Sequence, residues 1–73
     1  MNRKGKVMPF IQVNILKGRS PEQKEKLIRE MTNVAMDVLD APEQSVRVMI
    51  QEMEPEHWGI AGESIKKRKE GSK

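Results

Sequence analysis

One arginine draws attention before any other group in this chain. Arg47 lies inside the apolar run from Val46 to Ile50, where a permanent charge needs a partner or an anion. Two readings fit it: an anion-binding group, or an edge-strand arginine on a solvated face. Other chemistry is scarce. There is a single histidine, His57, and no cysteine, so a His-based triad, a two-His metal motif and a Cys-ligated zinc site are all absent from the chain. Glu52, Glu54, Glu56 and His57 are rich in oxygen and nitrogen donors. The three acids surround Pro55, read as solvent-facing, and their spacing matches no metal-ligand pattern, so no metal is expected.

Three periodic segments must position whatever chemistry exists. From Phe10 to Leu16 the chain alternates, with Ile11, Val13 and Ile15 on one face and Gln12 and Asn14 on the other, the period-2 signature of a strand. Ser20-Pro21-Glu22-Gln23 then reads as a helix start, with a capping serine, a proline at the first helical position and a glutamine that completes a capping box. Leu27, Ile28, Met31, Val34, Ala35, Val38 and Leu39 follow at three- and four-residue steps, which predicts a helix from about 21 to about 39 that stops before Pro42. Val46 to Met53 alternates again, predicting a second strand. Glu54-Pro55-Glu56 reads as a turn, and Gly59 and Gly62 bracket a segment, Trp58 to Ser64, suited to a small hairpin.

A crossover helix between two strands of one sheet makes them parallel, so the unit is a single β-α-β of the α/β class. At 73 residues it is one small domain, and such a domain buries only roughly 60% of its unfolded surface. A large enclosed site within one subunit is excluded. One helix covers one face of a two-stranded sheet; the other face and both edges stay open and invite pairing with another chain. Self-association is therefore expected.

The net charge of +3 resides at the two ends. Arg3, Lys4 and Lys6 precede Pro9 without an acid, and Lys66, Lys67, Arg68, Lys69 and Lys73 outweigh Glu70 in residues 66–73, which leaves residues 9–65 at −4. A nucleic-acid binder would place its bases along one folded face with stacking aromatics nearby, so no nucleic-acid partner is expected. Both ends read as solvated, frayed segments. No apolar run approaches the roughly 18 residues of a membrane span, and a cytoplasmic location is expected.

The stretches PFIQVNILKGRSPEQK (9–24), DAP (40–42), SVRV (45–48) and HWGIAGE (57–63) together resemble the 4-oxalocrotonate tautomerase family over about residues 9–65. That resemblance implies a β-α-β chain with a short C-terminal hairpin, dimerising to a four-stranded sheet with two helices and assembling as a trimer of dimers. It implies a tautomerase or isomerase of small dienols or unsaturated 2-oxo acids, of the kind met in aromatic catabolism, with no cofactor.

By position, the resemblance makes Pro9 the general base through the secondary amine of an amino-terminal proline, Arg19 and Arg47 the arginines that bind the carboxylate and oxo groups, and Trp58 an aromatic wall where the family more often has phenylalanine. An α-amino group has a reference pKa of roughly 7.7–8.0, and desolvation with nearby arginines lowers it toward neutrality. The free amine would then take a proton from one carbon and return it to another. Without the resemblance, Arg19 reads as a solvated turn residue, Trp58 as an interface anchor and Pro9 as a strand start.

Two departures from the family pattern bear on activity. Ile60 stands where the related chloroacrylic acid dehalogenases carry a water-activating glutamate, so hydrolytic dehalogenation is not expected. Residues 1–8 precede Pro9, and an internal proline has an amide nitrogen without a basic lone pair. The expected organisation is thus an extension (1–8) missing from the mature enzyme, a tautomerase domain (9–65) and a basic flexible tail (66–73). A non-catalytic oligomeric module that binds an anion or partner, with Pro9 blocked by the extension, is the alternative.

Overall fold

The structure is a computed structural model and describes residues 8–71. Two seven-residue strands, β1 (Phe10–Leu16) and β2 (Arg47–Met53), pair in parallel from Phe10 against Arg47 to Leu16 against Met53. The connection between them is a single helix, α1 (Pro21–Leu39), followed by a 3₁₀ turn at Glu43–Ser45. Beyond β2, a second 3₁₀ turn (Pro55–His57) leads into an antiparallel hairpin of β3 (Gly59–Ile60) and β4 (Glu63–Ser64), and then into a short helix, α2 (Ile65–Gly71). This is the expected β-α-β unit with a C-terminal hairpin.

The ends of α1 follow from local chemistry. The Ser20 hydroxyl accepts the Gln23 N–H (3.1 Å) while the Gln23 side chain accepts the Ser20 N–H (2.9 Å), so the capping box is closed, with Pro21 at the first helical position. At the other end Asp40 takes a left-handed conformation (φ 56°) and Pro42 follows two residues later, which stops the helix.

Burial separates the faces. Ile11, Val13 and Ile15 of β1 and Val48 and Ile50 of β2 are half-buried, whereas Phe10, Gln12, Asn14, Arg47, Met49 and Gln51 are exposed on the opposite face. The apolar stripe of α1 also divides. Leu27, Ile28 and Met31 are half-buried and Ala35 is buried, but Val34, Val38 and Leu39 are exposed. Among the described residues the only buried apolar side chains are Ala35 and Ala41, with Thr32 beside them donating its hydroxyl to the Ile28 carbonyl (2.8 Å). Phe10 is 63% and Val38 71% exposed. Full burial of one such side chain contributes roughly 1.5–3 kcal/mol, so an isolated chain leaves several such contributions unrealised.

The basic C-terminal segment differs from the frayed tail expected of it. Residues 65–71 are helical because local hydrogen bonds supply what an apolar stripe does not. The Ser64 hydroxyl accepts the Lys67 N–H (3.1 Å), the Ile65 N–H donates to the Trp58 carbonyl (2.7 Å), and Lys66 pairs with Glu70 one turn on (2.8 Å). Residues 1–7 of the expected extension, and residues 72 and 73, lie outside the described residues. Among the described residues no helix is long and apolar enough to cross a membrane.

Candidate active site

The four residues singled out in the sequence fall at the two ends of the β1–β2 ladder. Pro9 immediately precedes β1, and its carbonyl accepts the Arg47 N–H (2.9 Å), which extends the ladder by one bond at this end. The link between these two residues runs through the backbone, because the Arg47 guanidinium donates to the Gln44 carbonyl (2.8 Å) in the turn before β2. The register requires this neighbourhood: in a parallel ladder the first residues of both strands share an end.

Arg19 and Trp58 belong to the opposite end. Arg19 lies in the loop between β1 and α1, and Trp58 follows the 3₁₀ turn that succeeds β2. A strand advances about 3.3 Å per residue, so Pro9 and the start of the Arg19 loop at Lys17 are roughly 25 Å apart along β1. One chain does not bring the four residues together.

The Arg19 end is closely tied. The Lys17 N–H donates to the Met53 carbonyl (3.0 Å), and its ammonium donates to Glu54 (2.9 Å). The hydrogen bond and charge of Glu54, joined by the charges of Glu52 and Glu56, hold the Lys17 pKa above its ordinary value. Lys24 in the first turns of α1 pairs with Glu52 on β2 (3.1 Å). Trp58 is half-buried and its carbonyl anchors α2. It also lines an open concavity of about 460 Å³ on the uncovered sheet face, with Gln12, Asn14, Gln51, Met53, His57 and Gly59.

Sequence reading gave no site role to Gln12, Asn14 and Gln51 of this lining and did not pair Lys17 with Glu54. Alternation alone identified Gln12, Asn14 and Gln51 as one face, and only the ladder register sets Asn14 beside Gln51. No group of three or more His, Asp or Glu side chains among the described residues is placed to hold a metal.

The family model described as tautomerase enzyme matches residues 9–68, starting at Pro9. The chain belongs to the tautomerase family. A 2-hydroxymuconate tautomerase of Stutzerimonas stutzeri is 58% identical over 59 residues, covering 81% of this chain and 94% of that relative. Among solved structures, TomN, a 4-oxalocrotonate tautomerase homologue in the tomaymycin biosynthetic pathway, superposes with a TM-score of 0.86 at 35% identity over 89% of this chain and 100% of its own. A heterohexameric 4-oxalocrotonate tautomerase from Chloroflexus aurantiacus J-10-fl superposes with a TM-score of 0.77 at 39% identity, over 81% of this chain and 95% of that one. The match ends at residue 68, within α2.

Proposed function

We propose that this tautomerase is a cytoplasmic homohexamer that moves a proton within small dienols or unsaturated 2-oxo acids such as 2-hydroxymuconate, and that its base is Pro9 once Pro9 is the amino terminus. The observation that carries the reading is the start of the family match at Pro9, the residue at the head of β1. Met8 precedes a small residue, which suits removal of an initiator methionine from a chain begun there, and proteolytic removal of residues 1–8 would give the same terminus. With a free secondary amine, Pro9 removes a proton from one position of the conjugated substrate and returns it to a carbon at another. Arg47 binds a substrate carboxylate through its planar fork, and Arg19 stabilises negative charge developing on the oxo and carboxylate oxygens. Trp58 excludes water from that charge.

The separation of the residues makes the second copy part of the mechanism. Among the described residues, no strand lies along the outer edge of β1. Two copies joined antiparallel along that edge form a four-stranded sheet, and the head of each β1 then faces the tail of the other. Pro9 of one copy thereby approaches Arg19 and Trp58 of its partner. Further pairing of dimers through the exposed sheet face completes six subunits.

The test is to assay a chain beginning at Pro9 and the 73-residue chain with 2-hydroxymuconate and phenylenolpyruvate. Removal of a general base costs about 10²–10⁴-fold in rate, and a deficit of that size is expected of the 73-residue form. Comparable turnover by that form, with its intact mass confirmed after the assay, removes Pro9 as the base.

A further inference from the structure

The two loops that leave the sheet at its Arg19 end are joined by a pair for which the proposed proton transfer has no use. After the last ladder residue of β1, Lys17 donates its N–H to the Met53 carbonyl (3.0 Å) and its ammonium to Glu54 Oε2 (2.9 Å). Arg19 follows Lys17 by two residues, and Trp58 follows Glu54 by four. Between Lys17 and Arg19 stands Gly18, at φ 127° with open space where a Cβ would be, so no side chain limits rotation at that point. Beyond Arg19, Ser20 is locked by the capping box. On the other strand, the Glu54 carbonyl accepts the His57 N–H (2.8 Å) and so closes the turn that presents Trp58.

We propose that Lys17 and Glu54 are positioning residues of the tautomerase site, their ion pair setting the separation of the Arg19 loop from the Trp58 turn. This rests on the reading of Arg19 and Trp58 as substrate-facing groups. With side chains 58% and 43% exposed, the pair contributes little to stability, since exposed ion pairs typically add less than about 1 kcal/mol. Its consequence is geometric. The Lys17 N–H to Met53 bond and the Lys24–Glu52 pair also tie β1 and the start of α1 to β2. Lys17–Glu54 is the side-chain pair that joins the two loops themselves, and Gly18 lets the segment between Lys17 and Arg19 turn without steric cost. Misplacement of a substrate-positioning group by about 1 Å can cost up to 10²-fold in rate, so a weak tie between two such loops has a large lever.

The decisive comparison exchanges the charges in the assembled protein beginning at Pro9, using Glu54→Lys, Lys17→Glu and the double exchange. Trp58 is the only tryptophan in the chain, so acrylamide quenching of its fluorescence reports on that turn independently of activity. Each single variant is expected to change the quenching constant by about twofold and to lower kcat/KM for 2-hydroxymuconate by about tenfold, mostly through KM. The double exchange is expected to restore both, with oligomer mass and Tm unchanged throughout. The proposal is overturned if the single variants leave quenching and kcat/KM at parental values, or if the exchange restores neither. Absence of tautomerase activity in the parent protein would instead defeat the functional reading, and quenching alone would then decide whether the pair holds the Trp58 turn.

Discussion

The two ends of the β1–β2 ladder are built differently. At the Pro9 end the chain enters β1 through an exposed Met8, and the bond that joins the ends of the strands is the backbone contact between Pro9 and Arg47. At the Arg19 end a backbone bond, the Lys17–Glu54 and Lys24–Glu52 pairs and the capping box act within a few residues of one another. On the proposed mechanism, one end leaves room for a terminus to become a reagent, while the other fixes the groups proposed to receive the substrate. The length of β1 keeps them apart, so under the proposed mechanism neither end is a complete site, and the apolar surface left exposed on α1 and on the sheet is where the proposed assembly would place further copies.

The largest expected effect comes from denying that surface its cover. Val38 is 71% exposed in the single chain, and a substitution at a truly exposed position changes stability by no more than about 0.5 kcal/mol. Buried between copies, a charge there would be unpaired and strongly destabilising. Val38→Glu is therefore expected to convert a species near six subunits in sedimentation equilibrium into smaller, less structured ones. A folded hexamer carrying the substitution would show that this face is free.

Next in size are the arginines. Arg47→Ala is expected to act mainly on KM and Arg19→Ala on kcat as well, each lowering kcat/KM by about 10²-fold, or about 2.7 kcal/mol of transition-state stabilisation. Steady-state kinetics on variants with unchanged circular dichroism checks this. Losses within about twofold at both positions would remove the arginines from the site.

Smaller effects probe how each end is held. Ser20→Ala opens the capping box and is expected to cost about 1 kcal/mol of stability, read as a lower Tm. Ala61 occupies the tight β3–β4 turn at φ 54°, a left-handed conformation that costs most residues roughly 1–2 kcal/mol. Ala61→Gly relieves that strain and loses part of the gain to the freer unfolded chain. A net increase of about 0.5 kcal/mol is expected in denaturant unfolding.

The elements were legible where period and punctuation agreed. Ser20-Pro21 and Pro42 bracket a 3.6-residue stripe, and α1 spans Pro21–Leu39; alternation located both strands to within a residue. The helix α2 was not legible, because its only apolar residue is Ile65 and its stability comes from Ser64, the Trp58 carbonyl and the Lys66–Glu70 pair. Ser64 three residues before Lys67, and Lys66 four before Glu70, were the available signals. Of the candidate site, family resemblance supplied the residues, and the parallel register separates them into two ends. The pairing of Lys17 with Glu54 escaped notice since charges 37 residues apart carry no local period.

Subunit complementation tests the divided site most directly. Chains that begin at residue 1, with Pro9 blocked, are mixed with Arg19→Ala chains that begin at Pro9, and hexamers containing both are purified and verified by native mass spectrometry. Neither parent assembly supports efficient turnover of 2-hydroxymuconate on this account. If Pro9 of one chain works with Arg19 of another, mixed assemblies contain sites with both groups intact, and a substantial fraction of the activity of the unsubstituted Pro9-terminal enzyme returns. If both groups come from one chain, every site carries a defect, and mixed hexamers no more active than their parents would contradict the account.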